Sequence, residues 1–172
     1  IGLGPGGRAQ MTERAVRAFE KCGCIAGYGL YLELIAGLIE GKERIETGMT
    51  REIDRCKAAR DAALSGKTVA LVSSGDAGVY GMAGPLLEVS AGYEIDIEII
   101  PGITAACSGG ALLGSPLTCD FACVSLSGLL TPWEVIERRL RGAAAGDFAI
   151  ALYNPASKKR TDALPRACAI LL

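Results

Sequence analysis

Short apolar runs alternate along the chain with longer stretches whose apolar residues recur every three to four positions, the pattern of strands alternating with helices. Ile1–Gly4 reads as the end of a strand, and Cys24–Ala26 as a short strand. Thr68–Ser73 is a continuous apolar run bounded by Gly-rich sequence, as expected of a strand buried on both faces of a parallel sheet. Ile95–Ile100, Phe121–Leu126 and Phe148–Leu152 read as further strands. Thr12 is placed to cap a helix over ERAVRAFEKC, with Ala15, Val16, Ala18 and Phe19 on its apolar side. Tyr31–Ile39 has helical spacing. Thr50 is placed to cap REIDRCKAARDAAL, on which Ile53, Cys56, Ala59 and Ala63 share a face, and Ser65-Gly66-Lys67 ends that helix. A helix follows through MAGPLLEVS, where Pro85 allows a kink, and Thr104 is placed to cap AACSGGALLG. Thr131-Pro132-Trp133-Glu134 reads as a capping box, with Thr131 as N-cap and Glu134 reaching back. Thr161 to Leu172 has a helical pattern with Pro165 in or near its first turn.

This alternation predicts an α/β fold with a largely parallel sheet. The Gly, Ser, Pro, Thr and Asp gathered within Leu113–Asp120 mark a boundary. It divides an N-terminal α/β domain over 1–114 from a C-terminal α/β domain over 115–172, of which only the first half is present. Both termini run straight into apolar sequence, so a longer parent chain is expected, with the second domain truncated. No internal repeat or low-complexity tract is visible.

Composition narrows the chemistry. The 172 residues include seven Cys and no His. That removes Ser-His-Asp and Cys-His nucleophile systems, His-ligated metals and an imidazole base. Any catalysis rests on carboxylates, hydroxyls, thiols, backbone groups or a cofactor with its own chemistry. A net charge of -1 and 5% aromatic residues give no basic or base-stacking surface for nucleic acid. No apolar run approaches a membrane span, no secretory leader is visible, and the Cys lack the C-x-x-C pairs of a structural metal site. Reduced, mostly buried thiols in the cytoplasm are expected, with no metal; an iron–sulfur or redox role is the alternative.

Four loops fall at the carboxyl ends of predicted strands, where open α/β sheets bind ligands. They are Gly4-Pro5-Gly6-Gly7, Ser74-Gly75-Asp76-Ala77-Gly78, Pro101-Gly102-Ile103-Thr104 and Tyr153-Asn154-Pro155. Gly2, Gly4 and Gly7 match the dinucleotide fingerprint, but Pro5 stiffens the turn and the next strand ends without an acid. An NAD-dependent oxidoreductase therefore stays as a rival of a different class. Asp76 is an acid on a Gly-rich loop, either a ligand contact or a turn residue bonding its own backbone. The basic run Lys158-Lys159-Arg160 either attracts carboxylates of an anionic substrate or forms a plain surface loop.

The opening GLGPG, the SSGDAGVYGMAG loop and the PGITAA loop together resemble the tetrapyrrole methylases, in order and in approximate spacing. KCGCIAGYGLYLELI, VSLSGLLTPWEVIERRL and ALYNPASKKR resemble more narrowly the precorrin-3B C(17)-methyltransferase branch, the ring-contraction methylases of cobalamin synthesis. The resemblance covers essentially the whole chain. It implies two α/β domains with a cofactor cleft between them, usually a homodimer, and S-adenosyl-L-methionine as cofactor. Carried over by position, Pro5, Ser74, Gly75, Asp76, Val79, Thr104, Ala105 and Asn154 line the cofactor site. Ser125, Ser127, Thr131, Lys158, Lys159 and Arg160 are expected to face the macrocycle or its carboxylates. No catalytic acid or base is assigned. Gly128 stands where the branch commonly carries Asp, and Gly7 where many members of the family do. The implied reaction is C-methylation of precorrin-3B, or its cobalt analogue, at carbon 17 with ring contraction. Rivals of the same fold act on another tetrapyrrole position or on RNA, and a non-enzymatic rival is a truncated chain that only folds.

Overall fold

The computed structural model describes residues 1–157 and 160–172. It divides into two compact units, 1–108 and 109–172, where the sequence places the boundary after 114.

The first unit is built on three parallel strands in the order β2-β1-β3: β1 Cys24–Tyr28, β2 Glu43–Thr47 and β3 Val69–Leu71. Around them lie α1 Glu13–Lys21, α2 Gly29–Leu34, α3 Glu52–Leu64 and α4 Ala83–Ser90. Thr12 caps α1 as its position predicts, its side chain accepting from the Ala15 amide. Phe19 of α1 is buried with Ile25, Leu32, Ile35, Ile39 and Val72 on one side of the sheet. Ala26, Cys56, Ala59, Leu71 and Met82 form the cluster beneath α3 and α4. Each fully buried Leu, Ile or Phe contributes roughly 1.5–3 kcal/mol.

β2 escapes a reading based on apolar runs. Its sequence ERIET has one apolar residue, because it is an edge strand facing water, where charges also block further pairing. Thr50 does not cap α3. It has a positive φ of 65°, Arg51 occupies the cap position, and no side chain caps the helix. Ile53 is exposed, while Arg55 is buried on that helix together with Cys56 and Ala59. The Arg55 guanidinium replaces water with the Thr47 hydroxyl at 2.8 Å and the Gly48 carbonyl at 3.0 Å, tying the end of β2 to α3. The helix expected over 31–39 is shorter: α2 starts at Gly29, stops at Leu34, and gives way to a 3-10 turn at Ala36–Leu38. Pro85 is the third residue of α4, within the first turn, where no intrahelical amide is needed.

Ile95–Ile100 does not form a regular strand. It runs beside a cavity of about 620 Å³ lined by Val69, Leu71, Leu86, Ile95 and Ile97, so its backbone has no ladder along most of its length. Only Ile100 joins the sheet edge, accepting the Gly2 amide at 2.9 Å. Ile1–Gly4 continues beside β3. The Leu3 amide donates to the Ser73 carbonyl, the Ser73 amide donates to Ile1, and the Ile1 ammonium donates to Leu71 at 2.7 Å.

α5, Ala105–Leu112, spans the division between the units. In the second unit β4 Phe121–Ser125 pairs in parallel with β5 Ala149–Tyr153. α6 Trp133–Ala145 and α7 Ala163–Leu171 bury Ile136, Leu140, Ala163 and Ala167 against Val124 and Leu126. The capping box does not form: Pro132 holds the N-cap position of α6 and no side chain caps it. Pro165 lies in the first turn of α7.

Candidate functional site

Three of the four Gly-rich loops meet at the carboxyl edge of the first unit's sheet. Gly4 and Gly75 exchange two backbone hydrogen bonds, each 2.9 Å. Gly2, Gly75 and Gly102 pack backbone against backbone. A Cβ added at Gly102 would lie 2.2 Å from the Gly75 carbonyl oxygen, and one at Gly2 would lie 2.7 Å from the Gly102 nitrogen. No other residue fits either position without moving main chain. Gly75 itself has φ 61°, and its missing Cβ faces the backbone of Ile103 to Ala105 at 3.8–3.9 Å.

Asp76 locks this junction. One carboxylate oxygen accepts the amides of Gly78 at 2.8 Å and Val79 at 3.1 Å, and the other accepts Gly102 at 2.9 Å. Of the two readings of Asp76, the turn residue bonding its own backbone is seen in the bonds to Gly78 and Val79; the bond to Gly102 is a further tie, to the next loop. Thr12 adds a tie through its hydroxyl, which donates to the Pro101 carbonyl at 3.3 Å. Ser74 is exposed, and its hydroxyl lies 3.1 Å from the phenol of Tyr31. Tyr31 packs edge-on against Tyr28, with ring centroids 5.5 Å apart. Nothing in the helical spacing of α2 singles out Tyr31, so sequence reasoning missed it. The Pro-Gly pair after a predicted strand was the available signal for Gly102.

Pro5, Ser74, Gly75, Asp76, Val79, Thr104 and Ala105 are thus carried on loops that these contacts join within one unit. The remaining positions belong to the second unit. Asn154 follows β5 with φ 52°, and its amide donates to the Ser125 hydroxyl at 2.9 Å. Ser125 also accepts the Ser127 amide at 3.3 Å. Thr131 is half-buried, with its carbonyl 3.9 Å from where a Gly128 Cβ would stand. Arg160 turns its guanidinium onto main-chain carbonyls. Lys158 and Lys159 lie outside the described residues.

The thiols are not mostly buried as expected: three of the seven are buried, Cys123 is half-buried and three lie on the surface. Burial pushes the Cys22 and Cys24 thiols up, and that of Cys56 to about 11, while Cys107, Cys119 and Cys168 are exposed. Among the described residues no group of three or more Cys, Asp or Glu is arranged to hold a metal, and no helix is long and apolar enough to cross a membrane. The dinucleotide reading meets two obstacles in the fold. A 3-10 turn at Arg8–Gln10, not a long helix, follows Gly7, and β1 ends at Tyr28 without an acid.

Residues 1–172 match the family described as Tetrapyrrole (Corrin/Porphyrin) Methylases. The chain is 48% identical over 173 residues to a probable cobalt-factor III C(17)-methyltransferase of Salmonella typhimurium, covering 99% of this chain and 72% of that protein. It is 39% identical over 176 residues to a precorrin-3B C(17)-methyltransferase of a Sinorhizobium species, covering 99% of this chain and 69% of the relative. The crystal structure of the methyltransferase CobJ superimposes with a TM-score of 0.93 at 41% identity, over 99% of this chain and 72% of that one. All three bear methyltransferase names and lend the oxidoreductase reading no support.

Proposed function

The chain belongs to the tetrapyrrole methylases, and from that footing we propose that it methylates carbon 17 of a corrin precursor, precorrin-3B or its cobalt-bearing counterpart, with contraction of the ring. The observation that carries this reading is the backbone junction of Gly2, Gly75 and Gly102, clamped by Asp76, in a chain whose relatives bear C(17)-methyltransferase names.

S-adenosyl-L-methionine fits the donor set as cofactor. Main-chain groups beside bare glycines, hydroxyls at Ser74 and Thr104, and the amino end of α5 suit a ligand carrying an adenosine and an amino-acid carboxylate. When bound, it supplies an activated methyl group. The chain's own residues bind, orient and exclude water, which is the main requirement for an in-line transfer. Pro5, Ser74, Gly75, Asp76, Val79, Thr104, Ala105 and Asn154 hold the cofactor in this reading, and Asp76 also joins its own loop to Gly102. Ser125, Ser127 and Thr131 face the macrocycle, with Lys158 and Lys159 toward its carboxylates. With no His in the chain, proton transfer during contraction falls to a hydroxyl, phenol, carboxyl or amine, or to the substrate and water. The reading includes a homodimer in the cytoplasm.

Calorimetry tests it. The full-length protein is expected to bind S-adenosylhomocysteine and not NADH. Tight NADH binding with no heat from S-adenosylhomocysteine would overturn the proposal. Incubation with labelled S-adenosylmethionine and either metal-free or cobalt-loaded precursor, followed by mass analysis, identifies the substrate. A monomer in sedimentation would remove the homodimer.

A further inference from the structure

Arg160 closes a basic run that suggests a surface cluster for anionic substrates, yet its side chain is turned inward. Nη1 donates to the carbonyl of Leu126, and Nη2 donates to the carbonyl of Asn154 at 3.1 Å. Nε is buried with no hydrogen-bond partner among the described residues. The main chain holds the arginine in place from behind, because Ser157 and Arg160 exchange two backbone hydrogen bonds of 2.8 and 3.1 Å.

The two carbonyls it grips sit just past the carboxyl ends of the parallel pair. Leu126 follows β4 and is fully buried; its own amide continues the ladder by donating to Tyr153 at 2.8 Å. Asn154 follows β5 and turns the chain with a left-handed backbone, a conformation that disfavours any residue with a Cβ, least of all Asn and Asp. That turn aims the Asn154 amide at Ser125, which in turn accepts the Ser127 amide. A planar guanidinium with donors fixed in a fork can span two carbonyls, whereas a Lys ammonium acts at one point.

We propose that Arg160 is a positioning residue: by bridging the Leu126 and Asn154 carbonyls it fixes the left-handed turn at Asn154, the residue that receives the cofactor, and with it the hydrogen bond from Asn154 to Ser125. The part concerning the cofactor rests on the reading of Asn154 given above. Arg160 then acts on the tetrapyrrole only indirectly, and its charge is not presented to substrate carboxylates.

The test uses Arg160→Lys and Arg160→Met in the full-length protein. S-adenosylhomocysteine binding is followed by calorimetry, and binding of uroporphyrin, a carboxylate-rich tetrapyrrole, by absorbance. Amide hydrogen exchange is followed at Leu126 and Ser127. Both variants are expected to weaken S-adenosylhomocysteine about tenfold, to speed exchange at Ser127, and to weaken uroporphyrin binding by a smaller factor, equal in the two because the charge that Arg160→Lys retains does not matter. Should Arg160→Met fail to fold, Arg160→Lys is decisive alone, since it keeps the stem and the charge. Unchanged S-adenosylhomocysteine binding with unchanged exchange overturns the proposal. So does a loss confined to uroporphyrin, which would make Arg160 a substrate contact. If the unaltered protein ignores S-adenosylhomocysteine, the cofactor reading fails, while exchange at Ser127 still decides whether Arg160 holds the turn.

Discussion

The Asp76 carboxylate accepts the Gly102 amide at 2.9 Å, so the acid of one Gly-rich loop is committed to the backbone of another. The residue most conspicuous as a ligand contact also clamps two loops together. Its second oxygen serves Gly78 and Val79. Hydrogen bonds to a charged acceptor are the stronger kind, and their loss leaves amides unpaired.

Asp76→Ala is expected to destabilise the first unit by about 2–4 kcal/mol, with Asp76→Asn costing about half as much because it keeps one acceptor oxygen. Urea unfolding of the two variants measures this. Equal, negligible shifts in both would show that the clamp does not hold the loops.

Gly102→Ala places a Cβ 2.2 Å from the Gly75 oxygen, whereas Gly7→Ala meets nothing within 4 Å. Overpacking against main chain costs roughly 1–3 kcal/mol or more, against about 0.5 kcal/mol or less for an open surface position. Thermal melts should separate the pair clearly, with Gly102→Ala also losing S-adenosylhomocysteine binding. A Gly102→Ala protein as stable as Gly7→Ala would mean the junction is loose.

Iodoacetamide at neutral pH is expected to label Cys107, Cys119 and Cys168, and to spare Cys22, Cys24 and Cys56 until the protein unfolds. Burial holds the Cys56 proton up to a pKa of about 11, from an ordinary 9. The folded state therefore keeps a proton that the unfolded chain releases. The stability this represents is intact below pH 9 and is lost as pH rises from 9 to 11. The loss amounts to about 2–3 kcal/mol. Denaturation at a series of alkaline pH values, with Cys56→Ala as reference, measures it; parallel curves for the two proteins would contradict the assignment.

Much of the architecture was legible in the chain. Thr12 capping, the buried runs at Cys24 and Thr68, and the parallel pair at Phe121 and Ala149 follow from local pattern, because the burial that selects those residues is local to each element. β2 was not legible, since an edge strand with one apolar residue leaves no hydrophobic period to read. Ile95–Ile100 shows the opposite failure: the pattern is that of a strand, but pairing depends on a neighbour that sequence alone does not place. At the site, the Gly-rich loops announced themselves, whereas their joining did not. The Asp76–Gly102 bond and the Arg160 bridge link residues far apart in the chain, and a basic run carries no mark of the carbonyls that turn Arg160 inward.

The junction of Gly2, Gly75 and Gly102 also bears on the order in which the first unit folds. It draws together residues from both ends of the first unit. Contacts so distant in sequence form only after the intervening chain has been ordered, because loop closure must come before the contacts that reward it. Local elements such as α1 can appear early without creating any part of the cradle. On the proposed reading, S-adenosylmethionine is recognised only by a chain whose first unit has finished folding, and its binding reports the completion of that unit rather than its start.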